Sequence, residues 1–224
     1  DAQGPAADRT DLVLVGNQLA DLWLRLGRPR QALEELQAQD TEGVDLRFRA
    51  RRAGLLLRSQ RALDEVDPGL LAEARAMAAA IGSPFNRAWL ELELARALPP
   101  DEARTEFTRL AQTEPARQRP GMQLHALLRV AQNSPGADEG QRLRQAIGSL
   151  AERCQPWDLD RAELWLTLGR LHDTQGDHPA ALRVWRHGAD WLQRCAQHRM
   201  PEAWRADFLS GLVVNRALLD AALT

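Results

Sequence analysis

The chain has 224 residues, 44% hydrophobic and 27% charged, with a net charge of −2. That is ample for a buried core in one or two domains, and the near-neutral balance excludes a global electrostatic pull toward nucleic acid or an anionic membrane. All 29 basic residues are Arg, which excludes a lysine nucleophile or Schiff base and any phosphate loop ending in Lys-Ser or Lys-Thr. No apolar run approaches the roughly 18 residues of a membrane span. Two cysteines, Cys154 and Cys195, are too few for a disulfide scaffold and fit a cytoplasmic setting. The bias toward Arg, Ala, Leu and Gly is that of a GC-rich coding sequence, as in a high-GC bacterium. The chain opens at Asp1 and reads as a piece of something longer.

Helical periodicity is almost continuous and nothing reads as β. Helices are predicted near 8–26, 29–40, 44–61, 67–81, 84–97, 100–113, 118–133, 138–154, 158–175, 178–197, 201–210 and 213–223. Their ends are set by breakers. Gly27 and Pro29 separate the first pair, a glycine suited to a left-handed helix end and a proline to a first turn. Asp67-Pro68 is a cap followed by a first-turn proline. Gly82-Ser83-Pro84 and Pro99-Pro100-Asp101 each stop one helix and start the next. Pro115 and Pro120-Gly121 bracket an expected loop, and Asn133-Ser134-Pro135-Gly136 is the most loop-like stretch. Connections of about two to seven residues make consecutive helices antiparallel neighbours. Pairs begin near 8, 44, 84, 118 and 158.

The late pair carries the clearest pattern. Trp165, Leu168-Gly169 and His172 are followed by Gly176, then Ala181 and Trp185. Leu19-Ala20, Trp23, Gly27, Ala32 and Leu36 repeat this spacing, while Ala103 and Phe107 keep only its second half. The pattern resembles the tetratricopeptide repeat (TPR), in which a Trp and an aromatic on one helix meet a small residue and an aromatic on the next. The resemblance implies an all-α fold: a TPR-like right-handed superhelix of about five antiparallel helix pairs over 1–199, closed by capping helices over 200–224. The closing segment is similar to that of large bacterial signalling proteins in which an ATPase or kinase module precedes a helical array.

In such a superhelix the first helix of each pair lines a concave groove. Aligning the two clear repeats places Asn17, Asp21 and Arg25 there early, and Glu163, Arg170 and Asp173 late. The implied function is non-catalytic: a protein-interaction or ligand-sensing domain of a larger regulator. Its expected partner is a protein or peptide, or its own upstream ATPase or kinase module, with a small-molecule effector as a further candidate. No cofactor, membrane or nucleic-acid partner is expected. A stand-alone scaffold that assembles complexes is the alternative. The lysine clamp of chaperone-binding repeats is absent.

Other constellations have plain readings. Cys195 and His198, with Cys154, offer three metal-ligand types where zinc asks for four, so no metal is expected. His172 is read as a packed core residue in the place of an aromatic. Arg47, Arg51 and Arg58 share a face of a basic helix that also carries Arg49, Arg52 and Arg61, and are read as meeting acids of the next helix. Trp157, Trp191 and Trp204 are candidate interface anchors, because packing does not account for them.

Overall fold

The computed structural model describes residues 5–132, 136–154 and 160–224, and the side chains of 5–8 and 137 are left aside. Asn133, Ser134, Pro135 and Trp157 lie outside the described residues. These hold thirteen α-helices and no strand: α1 Pro5–Arg25, α2 Pro29–Gln37, α3 Leu46–Ala62, α4 Pro68–Ala80, α5 Pro84–Ala95, α6 Pro100–Ala111, α7 Glu114–Gln118, α8 Pro120–Gln132, α9 Ala137–Arg153, α10 Arg161–Asp173, α11 His178–Arg199, α12 Glu202–Ala206 and α13 Val213–Ala221. No helix among them is long and apolar enough to cross a membrane.

The helices form two compact units, Asp1–Pro99 and Pro100–Thr224. In the first, α2 packs between α1 and α3, α4 packs between α3 and α5, and α1, α3 and α5 are successive neighbours. Ala20, Ala32, Leu36, Leu55 and Ala74 are sealed in its core. In the second, α8 packs on α6, α9 and α10, and α10 pairs with α11. The tail then folds back, with α13 against both α10 and α11. Phe208, Leu209, Val214 and Leu219 surround buried Leu218, Leu166 and Leu192 there. The expected third pair, 84–113, thus has α5 in one unit and α6 in the other.

Three hairpins turn in the same way. After α1, Gly27 takes φ 75° and the Arg28 N–H reaches back to the Trp23 carbonyl at 2.9 Å. After α10, Gly176 takes φ 77° and the Asp177 N–H reaches the His172 carbonyl at 3.0 Å. After α3 the left-handed residue is Asp64, φ 56°, with the Glu65 N–H on the Gln60 carbonyl at 2.9 Å. This is the Schellman ending, which satisfies carbonyls left over by the last helical turn. Five helix starts share a side-chain cap. The carboxylates of Asp45, Asp67, Asp160 and Asp177 each accept a first-turn N–H, and Ser83 does the same for α5.

Two stretches depart from expectation. The loop predicted between Pro115 and Gly121 contains a helical turn, α7, because Pro115 sits at its start where no N–H is needed. The helix predicted over 201–210 is α12 followed by a π-helical turn, Asp207–Gly211. The Asn215 side-chain amide donates to the Phe208 carbonyl at 2.7 Å, giving that carbonyl a partner outside the helix.

Candidate functional site: a charged groove on the first unit

The inner surface of α10 and α11 is built by close approach. A Cβ on Gly169 would collide with the Trp185 indole, which donates its Nε1–H to the Leu166 carbonyl at 3.2 Å. Gly188 does the same for Trp165, whose Cβ lies 3.0 Å from where a side chain would begin. Trp191 is half-buried in this cluster, edge-on to Trp165 at 5.3 Å, so packing accounts for it and it is not a free anchor. Trp204 is likewise half-buried. His172 is not packed as an aromatic core residue. Its Nδ1 accepts from Arg144 at 3.0 Å, and burial, followed by the Arg144 charge, lowers its pKa below 6.5.

The first unit holds a concave feature. A cavity of about 480 Å³ opens over α1 and α3, with Asn86 of α5 at its edge. From α1, Asn17 and Asp21 line it; from α3, Arg47, Phe48 and Arg51 do. Asn17 is 3% exposed and its Nδ2 donates to the Phe48 carbonyl at 3.2 Å, which ties the two helices together. Its Oδ1 is buried with no hydrogen-bond partner.

Asp21 is the electrostatic hub. Arg25 and Arg58 each donate to it at 3.0 Å, and Arg51 lies 3.8 Å away. Burial alone would raise its pKa; the charges of Arg58, Arg25 and Arg51 outweigh that and hold it below 3.8. Behind it, buried Glu93 takes two 2.8 Å bonds from Arg96 and lies 4.0 Å from Arg58. Arg51 rests on the Trp89 ring at 4.2 Å, a cation–π platform. Trp89 reaches so close because α3 carries Gly54 at that level. Two carboxylates thus face four guanidinium groups, leaving local positive charge beside an apolar wall, Phe48.

Of the residues placed in a groove by repeat alignment, Asn17 and Asp21 line this cavity, and Arg25 meets it only through its bond to Asp21. The late three are dispersed within their own unit. Glu163 is 3% exposed, bonded to Arg129 at 2.9 Å and Gln132 at 2.8 Å. Arg170 is exposed and Asp173 pairs with His178. Sequence reasoning missed Phe48, Asn86 and Trp89, and assigned Arg51 and Arg58 only to the next helix; Glu93, whose Glu91-x-Glu93 spacing reads as a solvated face, is instead 4% exposed. Arg58 in fact bridges Asp21 on the preceding α1 and Glu93 on α5. The shared face of Arg47, Arg51 and Arg58 was the available signal. Among the described residues no group of three His, Cys, Asp or Glu side chains converges as a metal site.

Fold and site together define an all-α protein with a polar, arginine-rich groove on its first unit. Comparison with protein-family models, with curated proteins and with solved structures gives no match.

Proposed function

We propose that this chain is a TPR-like binding module that acts without catalysis in the cytoplasm. It would be the interaction or sensing part of a larger bacterial signalling or transcriptional regulator. The right-handed superhelix of about five pairs is part of the same proposal. The observation that carries it is the groove itself: the first helices of successive hairpins jointly present Asn17, Asp21 and Arg51 around one cavity. The repeated Schellman hairpins and the stepwise stacking of α1 through α5 support the repeat reading. An occupant would be a protein segment or small molecule bearing an acid for Arg47 and Arg51 and an apolar group for Phe48. Its binding would favour one arrangement of the array and bias an attached ATPase or kinase module. A stand-alone scaffold would use the same groove without that coupling.

The test is a thermal-shift screen of small acids and short acidic peptides, since selective binding to the folded state raises the melting temperature. A shift seen with the wild type, lost in Arg51→Ala and kept in Arg170→Ala, supports the reading. A shift that survives Arg51→Ala places binding elsewhere and contradicts it.

A further inference from the structure

The guanidinium groups around Asp21 are not alike. Arg25 and Arg58 each donate to its carboxylate, and Arg47 is held by Asp45 at 3.0 Å. Arg51 makes no hydrogen bond to any described residue. Its place is fixed without one, by the Trp89 ring at 4.2 Å and the Asp21 carboxylate at 3.8 Å. Burial is the largest influence on Arg51 and disfavours its charge. A guanidinium carries five N–H donors, so Arg51 is a positioned cation whose hydrogen bonds are still to be made.

Two carboxamides line the same cavity. Gln18 stands on α1 one turn before Asp21, and Asn86 on α5 one turn before Trp89. Gln18 is exposed and Asn86 half-buried, and neither side-chain amide bonds to a described residue. Each offers a donor and an acceptor side by side, the edge that pairs with a nucleobase or with another amide. Leu14 and Phe48 add apolar surface. The charges leave a positive excess. Arg25, Arg51 and Arg58 meet the single carboxylate of Asp21, while Arg47 is matched by Asp45 and Arg96 by Glu93.

We propose that the groove takes a nucleoside monophosphate, an inference that rests on the reading of this groove as a ligand site. The phosphate, with a charge of about −1.5 to −2 at neutral pH, matches the positive excess and accepts from Arg51. The base lies against Phe48 and Leu14 and turns its polar edge to Asn86 and Gln18. The cavity, about 480 Å³, lies in the range of small-ligand sites. A simple carboxylic acid satisfies Arg51 but leaves part of the positive excess and both carboxamides without partners. A ligand bearing an ammonium group is repelled by the same arginines.

The experiment is isothermal titration calorimetry of the 224-residue chain with AMP, GMP, CMP and UMP, set against their nucleosides, ribose 5-phosphate and N-acetyl-leucine. At least one monophosphate should bind about tenfold or more tighter than both its nucleoside and ribose 5-phosphate. Arg51→Gln should bring nucleotide and nucleoside to equal affinity. Gln18→Ala/Asn86→Ala should bring the nucleotide down to ribose 5-phosphate. Circular dichroism should show both variants folded. Ribose 5-phosphate binding as tightly as every nucleotide overturns the inference, and so does a preference for the nucleotide that survives Gln18→Ala/Asn86→Ala. Either result leaves the groove an anion site. N-acetyl-leucine binding in place of all four nucleotides also overturns it, and keeps the broader reading of an acid with an apolar group. Binding by none of these ligands overturns it as well, and the screen of acids and acidic peptides then decides the broader reading by itself.

Discussion

The hairpins α1–α2 and α10–α11 make one shape from different residues. Both turn through a left-handed glycine, Gly27 and Gly176, and both seat a fully buried alanine, Ala32 and Ala181. Where the first hairpin buries Ala20 and Leu36 in one cluster, the last puts Gly169 against Trp185. Where the first has Gly16 beneath Gln39, the last has Trp165 over Gly188. Volume moves from one partner to the other. Packing in a dense interior conserves the sum, not the residue. The two then diverge in what they leave outside. The last hairpin is closed by Phe208, Leu209 and Leu218 of the tail, whereas α1 keeps a charged groove on one edge.

The largest break in this equivalence should come from Gly169→Ala. The helix gains propensity, but the new methyl displaces Trp185 and its bond to Leu166, for a net loss of about 2–4 kcal/mol in urea unfolding. The matching change in the first hairpin, Ala20→Gly, leaves a small gap and loses propensity, about 1–2 kcal/mol. An equal response at the two sites would deny the volume exchange.

Asp21→Asn comes next, at about 1–2 kcal/mol, because it leaves Arg25, Arg51 and Arg58 facing one another. Its pH dependence has a definite sign. The folded carboxyl has a pKa below 3.8, so its stabilisation is complete above that value and is lost as pH falls through the lower folded value. Denaturation midpoints followed from pH 6 downward should therefore fall more steeply for the wild type than for Asp21→Asn. Parallel curves would mean that the arginine cluster does not act on this group.

Gly27→Ala and Gly176→Ala should each cost about 1 kcal/mol, and the same amount, because the two turns share one conformation. Unequal melting-temperature losses would separate the turns. The smallest effect is a gain. Asp64 holds the equivalent left-handed position at φ 56°, so Asp64→Gly should stabilise the chain by about 0.5–1 kcal/mol. A loss would show that its side chain contributes more than its backbone costs.

Most helix ends were legible because single residues set them. Pro29, Pro68, Pro84 and Pro100 each open a helix, and Asp67 and Ser83 cap as their positions suggest. The Asp64 turn was not legible, since aspartate reports a left-handed backbone far less clearly than glycine. The π turn at Asp207–Gly211 was hidden because a side chain seven residues away, Asn215, holds the Phe208 carbonyl. The cluster around Asp21 was half legible. Asn17, Asp21 and Arg25 follow from one repeat aligned on another. Arg51, Trp89 and Glu93 depend on how α3 and α5 stack on α1, where the repeat signature is worn away and Gly54 alone marks the close approach.

The most direct test is a double-mutant cycle in the last hairpin. Trp185→Leu combined with Gly169→Ala rebuilds there the Ala20–Leu36 pair of the first hairpin. If the two hairpins are one unit with exchanged volumes, each single change destabilises and the double variant recovers much of the loss. The coupling in urea unfolding should be about 1–3 kcal/mol. Additive losses, with the double variant the least stable of the four proteins, would contradict the account.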